Sequence, residues 1–215
     1  MQTRGARRPM ALLLGACAVL GSTLASATVV IGLDRTALIR GADGIVAGVV
    51  DHVRAIPGPK QGPEIMTRID IRVEQTFLPI QGVTGPTLTL IQTGGTLHGR
   101  TMLVHGQAQF RRGERVLVFV ERVSDGRLIP YGMAQGKFTI AEHDGHTVAT
   151  RDLADLALAT QDAEGYQRIG PAGKAFPVRF DLGELEAAIA DEAGGATTGP
   201  IDAPPAKARR GADVR

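Results

Sequence analysis

His143 and His146 flank an Asp144-Gly145 pair, a spacing that would face two imidazoles across the mouth of a hairpin and offer two nitrogen ligands to a metal. Two ligands do not make a site, and the chain carries one cysteine, Cys17, to add a thiolate. None of the five histidines (His52, His98, His105, His143, His146) has a partner at the spacing of a helical HExxH zinc motif. The turn histidines therefore read as solvated, and neither a metal nor a cofactor is expected. Covalent acyl transfer fares no better. Ser22 and Ser26 lie near the N-terminus, and Ser124 stands beside Asp125-Gly126, where serine is a turn former. A serine or cysteine nucleophile needs a positioned base and an oxyanion hole, and no such setting is visible. The stretch Thr93 to Gly106 has Gly94-Gly95 and Gly99 but lacks the Gly-Lys-Ser/Thr ending of a phosphate-cradling loop. A hydrolase using carboxylates stays open, because the separation of two acids is a property of the folded chain.

The N-terminus has the layout of an export signal. Arg4, Arg7 and Arg8 are followed by the apolar stretch Met10 to Leu20 and by Ala25-Ser26-Ala27, a small-residue cleavage site. Leu14-Gly15-Ala16-Cys17 gives a rival reading as a lipoprotein box, although apolar residues follow where a polar tether is usual. The expected division is a signal peptide over 1–27, one β-rich domain over 28–195 and a disordered tail over 196–215. Its location would be periplasmic or secreted, without a membrane span. The full chain has 24 Lys+Arg and 22 Asp+Glu; losing a leader with three arginines and no acid leaves 21 against 22. A near-neutral mature chain removes the main reason to expect nucleic acid as a partner. The absence of Trp and the presence of two tyrosines, Tyr131 and Tyr166, argue against a platform for stacking sugars or bases.

The elements that must hold any site are mostly strands. Phe110 to Ile140 is the organising stretch: Val116 to Val120 is an unbroken apolar run, the pattern of a strand buried on both faces. Asp125-Gly126 supplies a type I′ hairpin signal, and Asp144-Gly145 a second turn. Ile69, Ile71, Val73 and Phe77 alternate with Asp70, Arg72 and Glu74, which predicts a half-buried antiparallel strand. Gly44 to Val53 and Thr87 to Gln92 read as further strands, and Thr28 to Gly32 as a β-like start. Asp34 caps a short helix up to Arg40. Asp181 and Glu184 form a capping box for a helix to Glu192 that carries Leu182, Leu185 and Ile189 on one face. Thr93 to Gly106 reads as a long loop and Ala154 to Ala175 as irregular. Long loops on β scaffolds are where binding sites gather, so Gly94, Gly95, His98, Arg100 and His105 are the candidate binding residues.

Short strands, dense turns and a terminal helix favour a mainly β fold, a small antiparallel OB-like barrel with one short helix near each end. Ala42-Asp43-Gly44-Ile45-Val46, the alternating Arg68–Phe77 (RIDIRVEQTF) and the hairpin Gly113–Leu128 (GERVLVFVERVSDGRL) resemble the netrin-like OB-fold module of tissue inhibitors of metalloproteinases. They also resemble short cysteine-free exported bacterial proteins of unassigned function. The resemblance covers Ala42 to Ile140 and implies an OB barrel and protease inhibition. Those inhibitors chelate the protease metal through an N-terminal cysteine that the mature chain lacks, so no functional residue carries over. The function expected from the sequence is an exported, non-enzymatic binding module for a protein or small-molecule partner, with protease inhibition and carboxylate hydrolysis as alternatives.

Overall fold

The computed structural model describes residues 28–161, 167–171, 176 and 178–194. The leader and the tail expected over 196–215 lie outside the described residues. The fold is mainly β with two helices: β1 Thr28–Ile31, α1 Arg35–Gly41, β2 Gly44–Pro57, β3 Ile65–Leu78, β4 Thr87–Thr93, β5 Gly95–Leu97, β6 Arg100–Met102, β7 Arg115–Arg122, β8 Leu128–Pro130, β9 Lys137–His143, β10 His146–Thr150, β11 Leu156–Gln161, β12 Gln167–Pro171, β13 Arg179–Asp181 and α2 Leu182–Gly194. The main sheet runs β13-β10-β9-β7-β2-β3-β4, with β8 sharing an edge of β7 with β9.

Strand β7 sits at the centre of this sheet, and Val116 to Val120 are all fully buried. Side chains of a strand alternate between faces, so this run feeds two cores. Leu117 and Phe119 join Ile45, Ala47, Phe138, Ile140 and Ala149 on one face, which both helices cover with Leu38, Ile39, Leu182, Leu185 and Ile189. Val116, Val118 and Val120 join Val46, Val50, Ile69, Ile71, Leu88 and Leu90 on the other. No helix covers that second face among the described residues; the sheet curls over itself instead. Register shifts in the β2–β3 ladder at Ile45/Val46, Ala47/Gly48 and Val50/His52 bend the strands, as bulges do. The curl brings β8 and β4 within 8 Å, Cα to Cα. No ladder joins them among the described residues, so the hydrogen-bonded path stays open where a closed barrel was expected.

The N-cap bonds expected of Asp34 and Asp181 form. Asp34 Oδ1 accepts from the Ala37 backbone N–H at 2.7 Å, and Asp181 Oδ1 from that of Glu184 at 3.1 Å. The helices are tied to each other through Glu192, which accepts from Thr36 Oγ1 at 2.9 Å and faces Arg40 at 3.4 Å. The turn chemistry needs one correction. At Asp125-Gly126 only Gly126 has positive φ (86°), and the hairpin closes between Val123 and Arg127 over three residues. The type I′ pattern is realised at Asp144 (φ 51°) and Gly145 (φ 78°), where His143 pairs directly with His146. A two-residue loop demands positive φ at both centres, whereas a three-residue loop concentrates it in its last residue.

Two irregular readings also give way to strands. Thr93 to Gly106 contains the hairpin β5–β6, turning at His98 (φ 49°) and Gly99 (φ 75°). Within Ala154 to Ala175, β11 pairs β1 in parallel and β12 in antiparallel fashion, giving a three-stranded sheet. Leu156 and Leu158 of that sheet pack with Leu153, Ala134 and Phe176 as a third core. The short alternation in these segments is masked in the sequence by Gly, Ala and Thr, which fit strands and loops alike.

Phe119 packs against Phe138 at 5.8 Å between ring centroids, and Phe138 against Phe180 at 5.7 Å. Phe119→Ala should destabilise the chain by about 3–5 kcal/mol, while His143→Ala at its exposed turn should change stability by less than about 0.5 kcal/mol. Urea midpoints of the two variants measure this. A Phe119→Ala midpoint equal to wild type would contradict the two-core assignment.

Candidate functional site

The curl-side core does not end in solvent; it opens into a cleft. Ile69, fully buried in that core, and Phe110, packed against it, both line a cavity of about 370 Å³. Val53, opposite Ile69 in the β2–β3 ladder, continues the apolar floor outward and is 39% exposed. One wall is the β5–β6 hairpin with Thr96 and Thr101; another is the connecting segment that contributes Val104, Gln107 and Gln109 and turns at Gly106 (φ 79°). Gln92, on the last turn of β4's alternation into the core, stands at the back.

Gln92 is only 5% exposed, and a buried amide must find partners. Its Nε2 donates to Gln107 Oε1 at 2.6 Å and to the Ala108 carbonyl at 3.3 Å. These bonds hold the 104–110 segment against β4 and leave Gln92 Oε1 and Gln107 Nε2 outside the pair. Arg54 is the one charged residue among those lining the cleft, and it is exposed. Among the described residues no carboxylate, imidazole or thiol lines it. The cleft therefore offers amides, threonine hydroxyls and apolar surface, which bind and orient but do not exchange protons near neutral pH.

The candidate residues from the sequence divide. Gly94 and Gly95 line the cleft, with φ of 98° and 129°, a region that L side chains seldom adopt. A Cβ on Gly95 would lie 2.6 Å from Thr67 Oγ1, and one on Gly94 2.9 Å from the Met102 carbonyl. Their role is to fold the hairpin back onto β2 and β3, where Thr67 Oγ1 donates to the Gly94 carbonyl at 2.7 Å. His98 is exposed at the hairpin tip, outside the lining. Arg100 pairs with Glu64 at 2.7 Å with both side chains largely exposed, a contact worth little energetically. His105 also lies outside the lining. The sequence reading missed Gln92, Gln107 and Gln109. The Gln107-Ala108-Gln109 spacing would have placed two amides on one side of an extended segment, but nothing local assigns that side to a cleft.

A second cavity, of about 110 Å³, shares Gln107, Ala108 and Gln109 with the first and gathers the ionisable groups. Lys137 Nζ donates to Thr139 Oγ1 at 2.7 Å and to Glu114, which also accepts from Thr139 and, through Oε2, from the Arg111 backbone N–H at 3.0 Å. The Glu114 and Lys137 side chains are only 10% and 9% exposed. Burial disfavours the Glu114 carboxylate, but hydrogen bonds from Lys137 and Thr139 and the ammonium charge outweigh it and hold its pKa below the ordinary 4.5. Burial also lowers Lys137 from the usual 10.5, against the pull of Glu114. Asp152 and Asp155 stand at the rim. Among the described residues no group of three or more His, Cys, Asp or Glu is arranged to hold a metal ion. His143 and His146 are likewise exposed across their turn.

Glu114→Gln would strand the buried Lys137 ammonium and should destabilise the chain by about 3–5 kcal/mol at neutral pH. Because the Glu114 pKa is lowered on folding, its contribution is complete above 4.5 and is lost as pH falls through the folded value. Urea titrations should therefore show the gap between wild type and Glu114→Gln closing below that pH; a gap independent of pH would refute the ion pair's role. Set against known proteins, the chain stands apart: no family model, no curated protein and no solved structure matches it.

Proposed function

We propose that the chain is an exported binding module whose ligand occupies the cleft between the β5–β6 hairpin and the 104–110 segment. One observation carries this: a cavity of about 370 Å³ in which amides and hydroxyls converge over an apolar floor, with no carboxylate, imidazole or thiol among its described lining residues. That volume falls in the usual range of small-ligand sites, roughly 300–1,000 Å³, and the combination of apolar wall with few placed polar groups is what such sites use. In this reading the curled strands β8-β7-β2-β3-β4 act as an OB-like scaffold, with the site at the mouth of the curl. Export is supported by the Arg4–Ala27 leader pattern.

A hydrolase using carboxylates has one observation in its favour, since Glu114, Asp152 and Asp155 line the second cavity. Against it, Glu114 is held ionised by Lys137 and Thr139 and is a poor proton donor, and the cavity of about 110 Å³ has room for little more than a few waters. Protease inhibition, implied by the netrin-like resemblance, has no geometric support of its own.

A fragment library screened by thermal shift against wild type and Thr101→Trp, which places an indole on the exposed cleft wall, tests the reading. A cleft ligand at a hundredfold excess over its Kd should stabilise wild type by about 2.7 kcal/mol and leave Thr101→Trp nearly unmoved. Hits that stabilise both variants equally would place binding elsewhere and sink the cleft. Inhibition of a metallo-, serine or cysteine protease by both variants alike would favour the inhibitor reading instead.

A further inference from the structure

The chemistry of the cleft narrows what can fill it, if the binding reading above holds. Cationic ligands find no carboxylate among its lining residues. Polyanions, nucleotides included, find one cation, Arg54, whose charge already acts on Asp70 across the neighbouring strand. Sugars and bases are usually held on aromatic faces. Here Phe110 is the sole aromatic residue of the lining among the described residues, and Lys137 Nζ stands over its ring at 5.5 Å. What remains is an uncharged ligand that both donates and accepts hydrogen bonds and carries apolar groups.

The polar walls match one such chemistry closely. Gln107 Oε1 is taken by Gln92 Nε2, so the linked pair presents one acceptor, Gln92 Oε1, beside one donor group, Gln107 Nε2. A secondary amide has the complementary set, one N–H and one C=O. Gln109, two residues along the same segment, adds a second amide to the lining. Its Nε2 donates to the Gln107 carbonyl at 3.3 Å, which leaves its own oxygen over. Below them the Val53–Ile69 floor, backed by Val104, suits an aliphatic side chain. We infer that the cleft takes an extended peptide segment, its backbone amides bonded by Gln92, Gln107 and Gln109 and one aliphatic side chain set on the Val53–Ile69 floor.

The probe is a pool of N-acetylated, C-amidated tetrapeptides built from Val, Leu, Ala, Thr and Gln, titrated into the ¹⁵N-labelled full chain, with maltose and acetate in parallel. The expected result is peptide-dependent shifts at the Gln92, Gln107 and Gln109 side-chain amides and at the Gly94–Gly95 backbone. Gln107→Ala, at a partly exposed position, should weaken peptide binding by about two- to tenfold, the loss of one neutral hydrogen bond, while Gln92 Nε2 keeps the Ala108 carbonyl and spectral changes in the free chain stay confined to β4 and residues 104–110. Shifts in the cleft from maltose or acetate but not from peptides overturn the peptide class and leave the cleft as a binding site. Peptide shifts that map away from the cleft, or that Gln107→Ala does not weaken, overturn the assignment of these amides. No shift from any probe overturns both the peptide class and the cleft.

Discussion

Everything in this architecture answers to one strand that is buried on both faces. Val116 to Val120 exclude water completely, so each side of β7 needs its own cover. A helix pair supplies one cover, and the other is made by the sheet bending until β4 and β8 approach. An apolar strand in the middle of a sheet stabilises only if both faces are packed to interior density, at about 25 cal/mol for each Å² of apolar surface removed from water. The bulges in β2–β3 serve that requirement: without them a flat ladder would leave Val116, Val118 and Val120 open to solvent.

The polar groups buried near this core are managed pairwise. Lys137 opens β9 opposite Val118 of β7, and its ammonium is held by Glu114 and Thr139 rather than reaching solvent. Arg151 is 2% exposed, lies 5.6 and 5.8 Å from the Phe138 and Phe180 rings, and has its pKa lowered by burial to about 10. It donates to the Leu33 and Gln135 carbonyls. Gln135 in turn joins the Leu33 N–H and the Ile31 carbonyl to the turn before β9, which fastens β1 to the main body. Asp70 is ionised against burial by hydrogen bonds from Thr89 and Arg68. With Cys17 the single cysteine, no intrachain disulfide restrains the unfolded chain, so these pairs and the cores carry the native state.

The cleft is a consequence of the same bending. A curled sheet that stops short of closure leaves its interior open at one end, and the chain fills that end with a hairpin and an extended segment instead of another strand. The two cavities meet at Gln107, Ala108 and Gln109, which line both, while Glu114, Lys137, Asp152 and Asp155 line the smaller one alone. Among the described residues the larger cleft is lined by amides, hydroxyls and apolar groups and by no carboxylate.

Much of the fold was legible in the residues themselves. The unbroken run Val116–Val120, the alternation around Ile69, the Asp34 and Asp181 caps and the Asp144-Gly145 turn are local patterns. Local patterns dictate local conformation, because side-chain period and backbone φ are set within a few residues. The site was only half legible. Gly94 and Gly95 announce a backbone that L side chains resist, but Asp70 reads as solvent-facing and is buried beside Arg68 and Thr89, three residues on two strands. Gln92, Gln107 and Val53 reach one cleft from β4, from a connecting segment and from β2. Whether the sheet closes, which amides converge and which charges share a cavity depend on contacts between residues up to dozens of positions apart. Such contacts are decided by how twisted strands pack, a property of the whole sheet that no short stretch of sequence contains.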